Sequence, residues 1–262
     1  PPRGPRRFIG PRPPSLEHSP AHLADLQRLL FDEGWSRLGW PERAGGLGGE
    51  PQFRAAMFQA LWDADIVIPE PFTTLEILVP VLLVFASHLA EELLPSLLRG
   101  DEGWAQAFSE PDAGSDLASL RTRMEPDGDG YRLYGQKVWS TYGHLAERSV
   151  LLARSGGPGH RGLTMVLVDL DQAGAEVRPI RAQDGENHFA EIFLDGAYVP
   201  KDLVIRELGQ GWSIPMYMLQ WESCALGGVP PGPPPSARSP PQAPSDPTPP
   251  PPSGHRRARE LP

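Results

Sequence analysis

The sequence predicts an α+β multidomain fold, in which a helical domain precedes an antiparallel β-barrel or sandwich and the start of a second helical segment. Three observations carry this prediction. Apolar residues recur at helical spacing up to about residue 104, short strand-like segments follow, and helical spacing returns after residue 208. The predicted domain limits are 21–104, 105–207 and 208–228, flanked by a disordered lead-in at 1–20 and a proline-rich tail at 229–262.

The helical domain is predicted to begin with a helix over residues 21–34. Leu23, Leu26, Leu29 and Leu30 fall at spacings that place them on one side of a helix. Proline and glycine then divide the chain into further helical candidates, which are residues 51–64, 73–88 and 90–98. The sequence therefore predicts four helices before the strands.

The β-domain is predicted from short segments rich in β-branched and aromatic residues. The candidate strands are residues 131–134, 137–141, 149–153, 163–168, 175–178 and 191–194. Turn residues separate these segments, and their fairly even spacing favours a barrel or sandwich over a βαβ fold. After them, Trp212, Met216 and Leu219 lie on one side of the predicted last helix, and the tail beyond it lacks the apolar residues that a core requires.

Charge and composition exclude several classes of function. The net charge of −9 argues against non-specific nucleic-acid binding, which depends on clustered Lys and Arg. The single cysteine, Cys224, fits a reducing compartment, so we expect a cytoplasmic protein without disulfides. The best apolar run, residues 77–86, is about half of a membrane-spanning length, and no Cys/His cluster has metal-ligand spacing.

The loop at residues 109–116, Ser-Glu-Pro-Asp-Ala-Gly-Ser-Asp, is the first candidate site. Gly114 lets another molecule approach the backbone, and the hydroxyls of Ser109 and Ser115 can each donate and accept a hydrogen bond. The loop could hold a polar, planar or phosphorylated ligand, and an ordinary turn with side-chain hydrogen bonds is the alternative. Glu110 is interpreted as a structural member of the loop.

Trp139 and Thr141 form the second candidate site. They are two residues apart on a predicted strand, so they should point to the same face of the sheet. A large π surface beside a hydroxyl suits a flat heteroaromatic ring with polar edges. The alternative is a core tryptophan next to a surface threonine.

The order of these motifs resembles the acyl-CoA dehydrogenase family. Residues 41–48 are similar to the family's Pro-Glu-x-x-Gly-Gly-Leu-Gly loop, and residues 109–116 to its Ser-Glu-Pro and Ala-Gly-Ser-Asp motifs. The Gly-Gln-Lys-x-Trp motif lies at 135–139, and a Phe-x-Glu-x-Phe-x-Asp segment at 189–195. The resemblance runs from about residue 20 to 228, so it covers the family's N-terminal and middle domains and only the start of its C-terminal helical bundle.

The resemblance implies that FAD lies against the middle domain and that the reaction is the α,β-dehydrogenation of an acyl-CoA thioester. In that reaction a carboxylate removes the α-proton, and the β-hydrogen leaves as hydride to flavin N5. The flavin-binding residues that it implies are Gln106, Phe108, Ser109, Gly114, Ser115, Trp139 and Thr141. Ser115 also contacts the substrate, Trp139 packs on the isoalloxazine, and the Thr141 hydroxyl lies near N5.

The catalytic base implied by the resemblance is Glu222. It lies in the run Leu-Gln-Trp-Glu-Ser, in which Ser223 replaces the arginine that is usual in the family. A solvated helix carboxylate is the alternative interpretation. Arg154, Arg178 and Arg181 could contact the phosphates of coenzyme A, or they are ordinary surface charges.

The resemblance also implies partners. Intact relatives form homo- or hetero-oligomers and pass electrons to an electron-transfer flavoprotein or a similar acceptor, with oxygen as the alternative. Because the similarity ends near Gly228 and a Pro/Ser/Arg-rich segment follows, we expect a frameshifted or truncated gene product. The alternative function is therefore a catalytically inactive FAD- and acyl-CoA-binding remnant, or a subunit that needs a partner.

Overall fold

The computed structural model describes residues 20–50, 52–64 and 70–226. The predicted tail at 229–262 and, apart from Pro20, the predicted lead-in lie outside these residues. Within them, an N-terminal group of helices precedes a mixed β-sheet, and one more helix follows the sheet. No helix in these ranges is both long enough and apolar enough to cross a membrane.

The N-terminal helices are α1 (Pro20–Asp32), α2 (Gln52–Asp63), α3 (Glu70–Phe85) and α4 (Ser87–Arg99). Helix α4 illustrates why these segments are helical, because its apolar residues recur at helical spacing and form one stripe. Its buried side chains are Leu89, Ala90, Leu94, Leu97 and Leu98. The helix ends at Gly100, whose left-handed backbone (φ 77°) lets its N–H donate to the Leu97 carbonyl.

Eight strands form one sheet after the helices. They are β1 (Trp104–Ala107), β2 (Arg123–Asp127), β3 (Gly130–Thr141), β4 (Arg148–Arg154), β5 (Leu163–Asp169), β6 (Ala175–Ile180), β7 (Phe189–Pro200) and β8 (Val204–Ile205). Their order is β6-β7-β3-β2-β4-β5-β8, and β1 pairs with β4. An all-antiparallel sheet is the wrong prediction, because β4 pairs in parallel with β1 and, at one position, with β2. Neither pair is joined by a hairpin, which is the connection that imposes antiparallel order.

Strands β4 and β5 are buried on both faces. In β4, Val150 and Leu152 belong to a core shared with the helices, whereas Leu151 and Ala153 belong to a second core shared with β3 and β7. Strand β5 alternates in the same way, with Met165 in the first core. Because side chains alternate along a strand, burial between two layers explains the nearly continuous apolar sequence of both strands.

Helix α5 (Ser213–Leu226) packs against α3. Its buried side carries Ile214, Met218 and Trp221, and the ring of Tyr217 meets the edge of Phe85 with the ring centroids 5.4 Å apart. Met216 and Leu219, which the sequence places on one side of this helix, are both exposed. These two residues therefore lie on the outer side of α5, whereas Trp212, the third residue of the predicted stripe, precedes the helix and packs against the core.

Candidate functional site

The loop that contains Glu110 is held together from inside by the carboxylate of this residue. Two backbone hydrogen bonds close the turn between Glu110 and Ala113, with N···O distances of 2.8 and 3.1 Å. The carboxylate then accepts hydrogen bonds from the amides of Arg121 (2.6 Å) and Thr122 (2.8 Å). This agrees with the interpretation of Glu110 as a structural residue, because its oxygens are occupied by the loop itself.

Lys137 on β3 extends into the same loop. Its side chain is fully buried, and Nζ donates to Glu110 Oε1 at 2.8 Å and to the Phe108 carbonyl at 3.0 Å. Burial lowers the pKa of Lys137 to about 8, although the Glu110 charge opposes the shift. Burial also acts to raise the pKa of Glu110, but the Lys137 charge and the hydrogen bonds lower it overall. Both groups are therefore charged at neutral pH.

The backbone of β3 is irregular at Trp139. The pairing of β3 with β7 shifts register between Lys137 and Ser140, and Trp139 has φ 63°, in the left-handed region. Its side chain is 59% exposed. Bulky residues rarely adopt this conformation, which costs about 1–3 kcal/mol of conformational free energy. Such strained residues cluster at functional sites. The amide of Val138 just before it donates to the Ser109 carbonyl at 2.9 Å, so the bulge is tied to the loop.

Trp139 and Thr141 both lie beside Phe189, the first residue of β7. The rings of Trp139 and Phe189 meet edge to face with centroids 5.9 Å apart, and Thr141 pairs with Phe189 in the strand register. The bulge interrupts the regular alternation on which the same-face prediction was based. The two residues nevertheless lie close together because both neighbour Phe189, a residue that the sequence did not identify as part of the site.

The remaining predicted residues follow the loop from β1 outward. Gln106 lies on β1 opposite Val150, and Phe108 is partly buried against the helical core. Gly114 and Ser115 are exposed, and no heavy atom lies within 4 Å of where a Cβ at Gly114 would be. One side of the loop is thus fixed by Glu110, and the other is open to another molecule.

A small cavity lies between the helices and the sheet next to this site. Its volume is about 50 Å³, room for a few water molecules, and Thr141 and Glu102 line it together with Leu78 and Leu97. Burial raises the pKa of Glu102 despite the charge of Arg148, whose Nε is 3.4 Å from the carboxylate. The cavity therefore combines apolar side chains with several polar ones.

A chain of three polar side chains secures the strand ends beyond Thr141. The Tyr142 hydroxyl is 3.2 Å from His188 Nδ1, and His188 Nε2 is 2.7 Å from Asp184. The hydrogen bond from His188 lowers the pKa of Asp184. These contacts link the loop before β7 to the end of β3, and only the structure reveals them, since the three residues belong to no sequence motif.

The other predicted groups lie elsewhere. Glu222 belongs to α5, but its side chain is outside the described part of the chain. Arg154 is occupied by backbone carbonyls, including those of Leu120 and Ala118, so it stabilises local loops. Arg178 pairs with Glu176 on the exposed surface of β6. We find no built phosphate site at these two arginines.

We expect Gly135→Ala to lower the free energy of unfolding by about 1–3 kcal/mol. Gly135 has φ 150°, and an added Cβ would lie 2.6 Å from Oγ1 and 2.8 Å from Cα of Thr122, whose amide is bound by Glu110. Urea unfolding measures the change. Gly114→Ala is the matched control, which should change stability by less than about 0.5 kcal/mol because its Cβ meets nothing. Equal effects in the two variants would contradict the expectation.

Solved structures with this architecture include acyl-CoA dehydrogenases. The chain superposes on the "Tcur3481-Tcur3483 steroid ACAD" with a TM-score of 0.70 at 30% identity, covering 79% of this chain and 55% of that one. It also matches the ChsE4-ChsE5 complex from Mycobacterium tuberculosis with a TM-score of 0.69 at 26% identity, covering 80% and 55%. The fold is therefore that of the acyl-CoA dehydrogenases.

Sequence comparison gives the family. The family model for the acyl-CoA dehydrogenase middle domain matches residues 105–197. The chain is 40% identical over 199 residues to acyl-CoA dehydrogenase IpdE1 of Mycobacterium tuberculosis, covering 75% of this chain and 51% of the relative. It is 36% identical to FadE34 of the same organism, covering 81% and 31%. The chain belongs to the acyl-CoA dehydrogenase family, whose members are generally FAD-dependent flavoproteins of acyl-CoA metabolism. It spans about half the length, or less, of these two relatives.

Proposed function

We propose that the chain takes part in the FAD-dependent α,β-dehydrogenation of an acyl-CoA thioester. The observation that carries the proposal is Trp139, an exposed aromatic residue in a strained conformation beside Phe189, on a bulge tied to the 109–116 loop. The family to which the chain belongs carries out this reaction. The proposal retains the predicted domains 21–104, 105–207 and 208–228 and a cytoplasmic setting.

The residues present fit a flavin. The exposed indole of Trp139 offers a flat apolar surface. In the loop beside it, the backbone at Gly114 is accessible to a ligand and Ser115 is exposed. FAD, when bound, supplies the hydride acceptor of the reaction. We assign Trp139 to packing on the ring, Thr141 to a hydrogen bond at its edge, and Gln106, Phe108 and Ser109 to its remaining border. Ser115 also contacts the acyl-CoA.

The proton step is assigned to Glu222. A carboxylate near the bound thioester can accept the α-proton, and burial tunes its affinity for that proton. Thr141 and the loop align the reacting groups, so their contribution is to orientation and not to proton or hydride transfer itself. The electron acceptor that we propose is an electron-transfer flavoprotein or a similar protein.

A second candidate function is an FAD- and acyl-CoA-binding subunit that does not turn over alone. It is favoured by the similarity of the chain to a protein that was solved as the ChsE4-ChsE5 complex. Under this alternative, a partner chain in a homo- or hetero-oligomer completes the site. Turnover by the purified chain without any partner would exclude it.

The purified chain, freed of unbound flavin, should show a flavin absorption spectrum. Trp139→Ala should weaken FAD binding about two- to tenfold, because the stacking contact is worth about 0.5–1.5 kcal/mol. Trp62→Ala is the matched control, since Trp62 is 77% exposed on α2 and belongs to no part of the site. FAD titration followed by fluorescence quenching measures the change. No flavin on soluble, folded protein would contradict the proposed function.

A further inference from the structure

The largest side chain that is fully buried in the described part of the chain belongs to a lysine. Lys137 lies at 0% exposure, and its ammonium makes hydrogen bonds to Glu110 and to the Phe108 carbonyl. Lysine is among the residues that are least often buried, because its charge must leave water. The pair therefore stands out from the apolar core around it.

A buried ion pair is weak evidence for stability. The desolvation of two charges offsets much of their attraction, and apolar residues of similar size often serve the fold as well. Here the low pKa of Lys137, about 8, reflects that cost of burial. What such a pair provides is a defined geometry, because each charge is satisfied in only one arrangement.

The geometry that this pair fixes is that of the candidate flavin site. Lys137 is two residues before Trp139, and its partners Phe108 and Glu110 belong to the loop that carries the other predicted flavin contacts. A parallel link, the hydrogen bond from the Val138 amide to the Ser109 carbonyl, joins the same two segments. The register shift of β3 begins at Lys137.

We propose that Lys137 is a positioning residue of the flavin site, which through Glu110 and the Phe108 carbonyl holds the loop and the strained Trp139 bulge in the flavin-binding geometry before the cofactor binds. This inference rests on the proposed function for the identity of the ligand. The positioning itself is a property of the chain without ligand. Lys137 touches neither flavin nor substrate, so it acts only through the segments that it joins.

Removing the ammonium should loosen the loop and leave most of the fold in place. In Lys137→Met, the Phe108 carbonyl loses its side-chain donor, and Glu110 keeps only the amides of Arg121 and Thr122. Fewer contacts then keep Trp139 in its strained backbone conformation, and such a conformation persists only where the surrounding contacts enforce it. Leaving the buried Glu110 carboxylate without its counter-charge also lowers the stability of the whole fold, so the mark of the positioning role is an increase in exchange that is largest in these segments.

The test compares Lys137→Met with Arg54→Met, each in the full chain. Arg54 forms a second strongly buried ion pair within the described residues, with Glu76 in the helical part, and none of its hydrogen bonds reaches the loop. For Lys137→Met we expect amide hydrogen exchange at Val138, Ala113 and Thr122 to speed up about tenfold or more, and FAD affinity to fall by a similar factor. Arg54→Met should destabilise the whole fold, so any rise in exchange should be spread over the slowly exchanging amides and not be largest at Val138, Ala113 and Thr122, and FAD affinity should be unchanged under conditions where the variant is folded.

Glu110→Gln is the second variant, in case Lys137→Met does not fold. It keeps an oxygen for the loop amides but removes the negative charge, and the exchange at Val138 and Ala113 should rise in the same way. Unchanged exchange in a folded variant, or the same local increase in Arg54→Met, would overturn the inference. If the unaltered chain binds no FAD, the proposed function fails, and the exchange data on the flavin-free chain still decide the role of Lys137.

Discussion

Replacing Arg54 by methionine should lower the free energy of unfolding by about 3–5 kcal/mol. Arg54 on α2 is 3% exposed, and its guanidinium forms two hydrogen bonds to the Glu76 carboxylate on α3, one of them from Nε at 2.7 Å. It also donates to the carbonyls of Ser36 (3.1 Å) and Leu38 (2.8 Å), and lies 4.2 Å from the Trp40 ring centroid. The substitution leaves a buried carboxylate without its counter-charge, which is far costlier than losing an exposed pair.

Urea unfolding of the full chain measures this effect. Arg28→Met is the matched control, because Arg28 pairs with Asp101 at 2.8 Å but both side chains are at least 40% exposed. Exposed pairs contribute little, so the control should change the free energy of unfolding by less than about 1 kcal/mol. A loss below about 1 kcal/mol for Arg54→Met would show that the Arg54–Glu76 pair is not a determinant of the helical part.

The second large effect is expected for Glu222→Gln. In a protein that contains this chain and oxidises an acyl-CoA, the variant should lose about 10²–10⁴-fold in turnover while retaining FAD, because glutamine has the shape of glutamate but cannot accept the α-proton. Single-turnover flavin bleaching by an acyl-CoA measures the chemical step, and the visible spectrum measures retained flavin.

Glu207→Gln provides the control for this prediction. Glu207 is an exposed glutamate in the turn before α5, and it is bonded to Gln210. Its substitution should leave turnover unchanged. If Glu222→Gln also bleaches at the rate of the unaltered protein, the base is another group, and the binding-subunit alternative or a different carboxylate takes its place.

Periodicity predicted the regular elements well where burial is one-sided. The helices predicted at residues 21–34 and 51–64 correspond to α1 (Pro20–Asp32) and α2 (Gln52–Asp63). Two separate strands predicted between residues 131 and 141 are one strand, β3, because the glycine between them is part of the pairing with β7. The parallel partner of β4 was not predictable, since β1 lies some forty residues away and local pattern carries no information on distant partners.

The sequence contains the motifs of the candidate site, but it does not show the contacts that hold them in place. Trp139 and the 109–116 loop are visible in the sequence, but a strand pattern implies an extended backbone, so the left-handed conformation at Trp139 was not. Lys137 was missed as a core residue because lysine is almost always at the surface. The one sequence signal for it was its place between the loop and Trp139 in the Gly-Gln-Lys-x-Trp motif.

The double burial of β4 and β5 couples the two parts of the molecule thermodynamically. One face of each strand completes the helical core and the other face completes the core of the sheet. Dividing the chain near residue 104 would expose Val150, Leu152 and Met165, which pack in the core shared with the helices. Neither half would then have a complete hydrophobic core. We therefore expect the helices and the sheet to unfold as a single cooperative unit, so that a substitution which destabilises the helical layer also lowers the stability of the sheet.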